Sequence, residues 1–162
     1  MTDSTQHAQL DFLPADRLFA PEQDMWVRLD ADGLATIGAT HLVVAHGQFM
    51  LFTPRPAGTA VDRDRSLGVM ETAKTAVAVH APLSCEVIEV NAAVIADVTS
   101  IERDPYGNGW MFRVRPTALD DERADLLDAD AYACWLAPRL ASRQDAPVDP
   151  EDDVGFDPSR GY

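Results

Sequence analysis

The sequence predicts a mainly β fold of short antiparallel strands with a C-terminal helix. Two observations carry this expectation. Between residues 25 and 115, short runs rich in β-branched and other apolar residues alternate with clusters of Gly, Pro, Asn and Asp. A three-to-four spacing of apolar residues appears only later, at Leu119, Leu126, Leu127, Ala131 and Leu136. A chain of 162 residues that is 46% hydrophobic suits one domain with a sizeable core.

Taken in order, residues 1–21 show little periodicity and are expected to form a loose arm. Asp32-Gly33 lies between two β-prone runs, Met25-Trp26-Val27-Arg28-Leu29 and Leu34-Ala35-Thr36-Ile37-Gly38, and signals a hairpin. Residues 40–46 fit either a short helix capped by Thr40 or a strand. Residues 49–53 read as a buried strand that Pro54, Pro56 and Gly58 end. Residues 66–71 and 76–80 read as two strands around a turn at residues 72–75, with Val77 and Val79 alternating with smaller or polar neighbours. Residues 85–90 form a further strand. A looser stretch follows, then the turn cluster Asp104-Pro105-Tyr106-Gly107-Asn108-Gly109. The last strand is expected over residues 110–115, with Trp110, Phe112 and Val114 on one face. The helix is expected over residues 119–136, with Asp120, Asp121 and Glu122 at its N-terminus and Pro138 stopping it. The Asp- and Pro-rich residues 138–162 are expected to be a disordered acidic tail. The domain proper is then residues 22–137.

The formal net charge of −14 excludes the usual means of holding nucleic acid or an anionic membrane surface. The acidity grows towards the C-terminus and would steer the chain towards basic partners or simply solvate it. No apolar run approaches the roughly 18–20 residues that span a bilayer. The N-terminus has neither a secretory h-region nor the Arg-rich character of a transit peptide, so a cytoplasmic location and a monomer are expected. Cys85 and Cys134 share no metal-like spacing and read as reduced thiols. His7, His41, His46 and His80 are scattered, so no metal site is expected.

The informative split lies among the 13 basic residues: all are Arg except Lys74. An always-protonated guanidinium is a poor nucleophile, whereas a Lys amine can be acylated. Lys74 falls in the tight turn between two strands, where a side chain is exposed yet held over a rigid base. An ordinary polar turn residue remains the alternative on these grounds alone.

Five segments resemble the glycine cleavage H-protein family, relatives of lipoyl and biotinyl carrier domains. They are Met25-Trp26-Val27-Arg28 with Asp32-Gly33-Leu34-Ala35-Thr36-Ile37-Gly38; Leu67-Gly68-Val69-Met70-Glu71-Thr72-Ala73-Lys74; Ala81-Pro82-Leu83-Ser84 with Glu86-Val87-Ile88-Glu89-Val90-Asn91; Asp104-Pro105-Tyr106-Gly107-Asn108-Gly109-Trp110; and Leu127-Asp128-Ala129-Asp130-Ala131-Tyr132. The resemblance covers roughly residues 22–137. It implies a barrel-sandwich hybrid and a non-catalytic carrier with lipoate covalently bound at Lys74. Glu71 would help a lipoate ligase or lipoyl transferase recognise the hairpin. Biotin is disfavoured, because Ala73 and Thr75 stand where biotin sites carry Met. The implied function is to shuttle an aminomethyl intermediate on the lipoyl-lysine between glycine decarboxylase, aminomethyltransferase and dihydrolipoyl dehydrogenase. The family also parks the loaded arm against its own surface.

Several positions depart from the family pattern. Val77 and Ala78 stand where polar residues are common, and Cys85 stands in place of a Gly. The segment after the first hairpin reads His41-Leu42-Val43-Val44-Ala45-His46 instead of polar or acidic residues, and residues 48–56 replace an acidic strand. These departures keep two other expectations open. One is an H-like lipoyl carrier serving heterodisulfide-reductase-like sulfur oxidation or lipoate relay. The other is an unmodified scaffold protein. Cys85 beside a sulfur-bearing arm would matter in the first of these, although a buried small hydrophobe is the plainer reading.

Overall fold

The computed structural model describes residues 13–44 and 48–144. Its strands are β1 (Leu18–Ala20), β2 (Met25–Leu29), β3 (Ala35–Ala39), β4 (Phe49–Pro54), β5 (Ala60–Val61), β6 (Ser66–Thr72), β7 (Ala76–His80), β8 (Cys85–Val90) and β9 (Phe112–Pro116). They form two antiparallel sheets. The larger has six strands in the order β1-β2-β3-β9-β8-β5, and the smaller three in the order β4-β6-β7. The mainly β expectation holds.

Apolar side chains on the facing sides of the two sheets make the sandwich. Val27, Ile37, Val87 and Val114 of the large sheet share one buried cluster with Phe52, Leu67, Met70 and Val79 of the small sheet. Phe52 meets Phe112 edge-on, ring centroids 5.8 Å apart, which ties one sheet to the other. Each fully buried side chain of this size contributes roughly 1.5–3 kcal/mol.

The first hairpin forms as expected. Gly33 has φ +82° at the turn, a conformation costly for any residue with a Cβ. The Leu34 N–H donates to Asp32 Oδ1 at 3.1 Å. Gly38 is needed for another reason: a Cβ there would lie 2.7 Å from the Trp26 indole. Trp26 itself is fully buried in a second, aromatic cluster with Phe19, Tyr132, Leu136 and Leu140. Phe19 stacks on Tyr132 with centroids 4.5 Å apart.

Residues 104–110 lock this second cluster to the sheet. The Asp104 carbonyl accepts from the N–H groups of Gly107 and Gly109. Trp26 Nε1 donates to the Pro105 carbonyl at 2.9 Å, and the Arg17 guanidinium to the Tyr106 carbonyl at 2.9 Å. Asn91 Nδ2 donates to the carbonyls of Asn108 and Trp110.

Five short or medium helices are described: α1 (His41–Val44), α2 (Ala92–Ala96), α3 (Thr99–Arg103), α4 (Leu119–Glu122) and α5 (Ala129–Gln144). Residues 40–46 begin as a helix, the first of the two expected alternatives; Ala45 and His46 lie outside the described residues. Other expectations need correction. The stretch after residue 91 is helical, because the Asn91 side chain accepts the Ala93 N–H and caps α2. Trp110 is not part of the last strand. It sits in the turn and packs with the aromatic cluster, while Phe112 and Val114 enter the main core.

The single helix over residues 119–136 is in fact two. Between them lie a 3-10 turn at Arg123–Asp125 and an extended Leu126. Leu127 exchanges both backbone hydrogen bonds with Phe19, so a sheet-like contact wins over the helical period. That contact also draws the end of the N-terminal arm into β1. Pro138 does not stop α5. The helix continues to Gln144 because Leu140, beyond the proline, is buried on the aromatic cluster. The missing proline N–H leaves the Cys134 carbonyl without its helical donor, and the Arg139 guanidinium donates to the next carbonyl, that of Trp135, at 2.9 Å. The acidic tail therefore begins as helix; residues 145–162, like residues 1–12, lie outside the described set.

Candidate functional site

Lys74 stands at the corner of the β6–β7 hairpin. The two strands pair from Ser66 opposite His80 to Glu71 opposite Ala76, with one shift of register between Ser66 and Gly68 and none from Gly68 to the turn. A two-residue hairpin loop normally needs a positive φ at a central residue. Ala73 and Lys74 do not have one. The Thr72 hydroxyl closes the turn instead. It accepts the N–H groups of Lys74 at 3.2 Å and Thr75 at 3.1 Å, and the Thr72 N–H donates to the Thr75 carbonyl at 2.8 Å. Residues 73–76 are all exposed. Among the described residues the Lys74 amine has neither a hydrogen-bond partner nor an ion-pair partner. It can take an acyl group without breaking anything in the fold.

Glu71 is exposed on β6, in register with Leu51 of β4 on one side and Ala76 of β7 on the other. Its neighbour Met70 is buried in the sandwich core. The strand's alternation therefore turns the Glu71 carboxylate outward, on the strand that leads to Lys74.

A groove of about 350 Å³ opens beside this hairpin. One wall is the strand that follows Lys74, at Ala76, Val77 and Ala78, and Met25, Ala39 and Met70 also line it. Glu22, Gln23, Asp24 and His80 supply its polar groups. His80 Nδ1 lies 2.9 Å from the Asp64 carbonyl, to which it donates. The wall is apolar where the family pattern suggests polar residues. A second, more polar cavity of about 510 Å³ lies towards the far end of the hairpin, between Arg63, Asp64 and Asp125, and Lys74 is not part of it.

Cys85 is not part of the site. It is buried on β8 in the large sheet. Burial and the nearby Glu122 carboxylate push its thiol up to about 12, so it stays protonated and inert at neutral pH. No group of His, Cys, Asp and Glu able to hold a metal ion is found among the described residues.

Sequence reading placed Lys74 and Glu71 but missed Thr72, whose role is visible only once its hydroxyl is seen against the turn amides. It also missed the groove, whose walls come from four separate segments.

The glycine cleavage H-protein family model matches residues 17–138. The glycine cleavage system H protein 5 of Aquifex aeolicus is 34% identical over 131 residues, covering 78% of this chain and 88% of the relative. The glycine cleavage system H protein of Halorhodospira halophila is 41% identical over 108 residues, covering 66% and 82%. The crystal structure of a glycine cleavage system H protein from Mycobacterium marinum superposes with a TM-score of 0.67 at 32% identity, covering 76% of this chain and 98% of that one. On these matches and this sandwich, the chain belongs to the glycine cleavage H-protein family.

Proposed function

We propose that Lys74 carries a lipoyl group in amide linkage and that Glu71 marks its hairpin for the enzyme that attaches it. Family membership supports a lipoyl carrier role in glycine cleavage. The observation that carries the assignment to Lys74 is its place: an unpartnered amine on an exposed turn closed by the hydroxyl of Thr72. In the attachment step the lysine nitrogen attacks the carbonyl carbon of adenylate-activated lipoate. A C–N amide bond forms, the C–O bond to the nucleotide phosphate breaks, and the amine loses a proton as AMP leaves. Once bound, the group supplies a cyclic disulfide that thiol–disulfide chemistry can open and close.

The chain itself catalyses no step in this reading. Lys74 fixes the arm's origin, and the rigid hairpin keeps the arm at high effective concentration for successive enzymes. Glycine decarboxylase, aminomethyltransferase and dihydrolipoyl dehydrogenase are the proposed partners. The groove begins two residues from Lys74, which supports its use as a resting place for the arm. Glu22 and Asp24 in that groove complement a cationic aminomethyl cargo.

The apolar wall at Ala76, Val77 and Ala78 favours a second reading, in which the arm carries an uncharged sulfur cargo or hands on its lipoate. One reconstitution separates the two. With the lipoylated chain, a mixture of glycine decarboxylase, aminomethyltransferase and dihydrolipoyl dehydrogenase, supplied with tetrahydrofolate as the methylene acceptor and with NAD, should release carbon dioxide and ammonia from glycine and reduce NAD as the freed dithiol is reoxidised. A fully lipoylated chain that supports neither would rule out the glycine cleavage reading and leave the second.

A further inference from the structure

Edge strand β4 breaks the alternation expected of a strand with one face on the core. Phe49 is in register with Thr72 and Leu51 with Glu71, so Met50 is an extra residue, a β-bulge. The bulge lets Phe49 and Phe52 both enter the core while Met50 and Leu51, adjacent in sequence, both face solvent at 69% and 51% exposure. A regular strand would bury one of any two such neighbours. The remaining large exposed hydrophobic among the described residues, Ile95, lies on α2, which packs against the same strand. Single exposed apolar residues are ordinary, but two side by side are less so. These two occupy the end of β4 nearest Lys74.

We propose that the Met50–Leu51 bulge is the docking surface for the enzyme that acylates Lys74, and that this enzyme meets it with an apolar surface bordered by basic residues. The inference rests on the reading of Lys74 as the lipoylated residue. Two observations select this occupant. Acylation happens at Nζ itself, so the attaching enzyme must close over the turn and the strands beside it; enzymes that work at the far end of a long arm need not. The bulge is also continuous with Glu71, which lies directly across from Leu51. An exposed carboxylate beside an apolar pair, on a chain of net charge −14, is complementary to an apolar surface edged with cations. The bulge thus supplies binding area, and Glu71 supplies orientation.

The test uses the full-length chain as substrate for a lipoate ligase supplied with lipoate and ATP, with product counted by intact mass. The variants are Met50→Ser with Leu51→Ser, and each change alone. Thr53→Ser, an exposed position further along β4, is the control. Thermal unfolding of each variant checks that the fold is kept. The double variant should raise KM for the chain about tenfold and leave kcat within about twofold. In a Lys74→Arg background, which has no amine to acylate, calorimetry should show the Kd for the adenylate-loaded ligase weakened by the same factor. Unchanged KM and Kd in a folded double variant, or a loss in kcat alone, would overturn the dock while leaving Lys74 as the acylated residue. A wild-type chain that gains no lipoyl group would overturn the reading of Lys74 and the dock with it.

Discussion

Two turns of the molecule each close on their own first residue, Asp104 accepting from Gly107, Asn108 and Gly109, and Thr72 from Lys74 and Thr75, but they differ in what holds them from outside. The turn at residues 104–110 is clasped from outside: Trp26, Arg17 and Asn91, from three distant segments, donate to four of its carbonyls. The turn at Lys74 is closed from within by the hydroxyl of Thr72. The first joins the aromatic cluster to the large sheet, so its loss spreads through the core. The turn-closing hydrogen bonds of the second all lie within residues 72–75. The proposed role of Lys74 as the carrier lysine makes use of this separation, because a partner could seize and modify the tip while long-range contacts elsewhere hold the fold.

The comparison breaks most visibly at Trp26. This residue is fully buried, donates to Pro105 and has the Arg17 guanidinium 4.9 Å from its ring centre. Trp26→Ala should lower unfolding stability by about 3–5 kcal/mol, measured by chemical denaturation.

Alkaline pH probes one buried group in each cluster, Cys85 in the inter-sheet core and Tyr132 beside Trp26, with a smaller effect for each pH unit. Burial holds the Cys85 thiol up at about 12 and the Tyr132 phenol up at about 12. Both groups therefore keep their protons in the native state where the unfolded chain loses them. With fewer protons bound to the unfolded state, stability falls as pH rises, by about 1.4 kcal/mol per pH unit per group. The fall should begin near pH 9, the ordinary value of a free thiol, through Cys85, and steepen near pH 10, the ordinary value of a phenol, through Tyr132 and through Tyr106, which burial also pushes up. Denaturation midpoints between pH 7 and 11 check this, and Cys85→Ala should remove the first component.

The smallest stability effect is expected at the tip. Thr72→Val keeps the β-branched shape and removes the turn-closing oxygen, which should cost about 1 kcal/mol or less. Its larger signature is local: the Lys74 and Thr75 amides should exchange with solvent faster, while those of residues 107–109 stay unchanged. Faster exchange in both turns would show that the two are coupled after all.

How far the sequence revealed this arrangement depended on where each contact begins and ends. The Lys74 hairpin was legible because its strands and turn are contiguous, and because an amine stands alone among the arginines. The strand at residues 85–90 was legible as well, as a short local run. The break in the C-terminal helix was not, because it is imposed by Phe19, more than a hundred residues earlier, pairing with Leu127. The helix running through Pro138 was hidden for a similar reason, since burial of Leu140 on the aromatic cluster outweighs one missing donor. The β4 bulge was hidden as well: Phe49 to Phe52 is one apolar run, and only register with Thr72 and Glu71 shows which pair points outward.

The most direct test of the central claim is the mass of the chain isolated from its own cells, followed by peptide mapping. One lipoyl amide per chain, confined to the peptide that contains Lys74 and absent from Lys74→Arg, is the predicted result. A chain that remains unmodified beside lipoylated proteins from the same cells would contradict the carrier assignment.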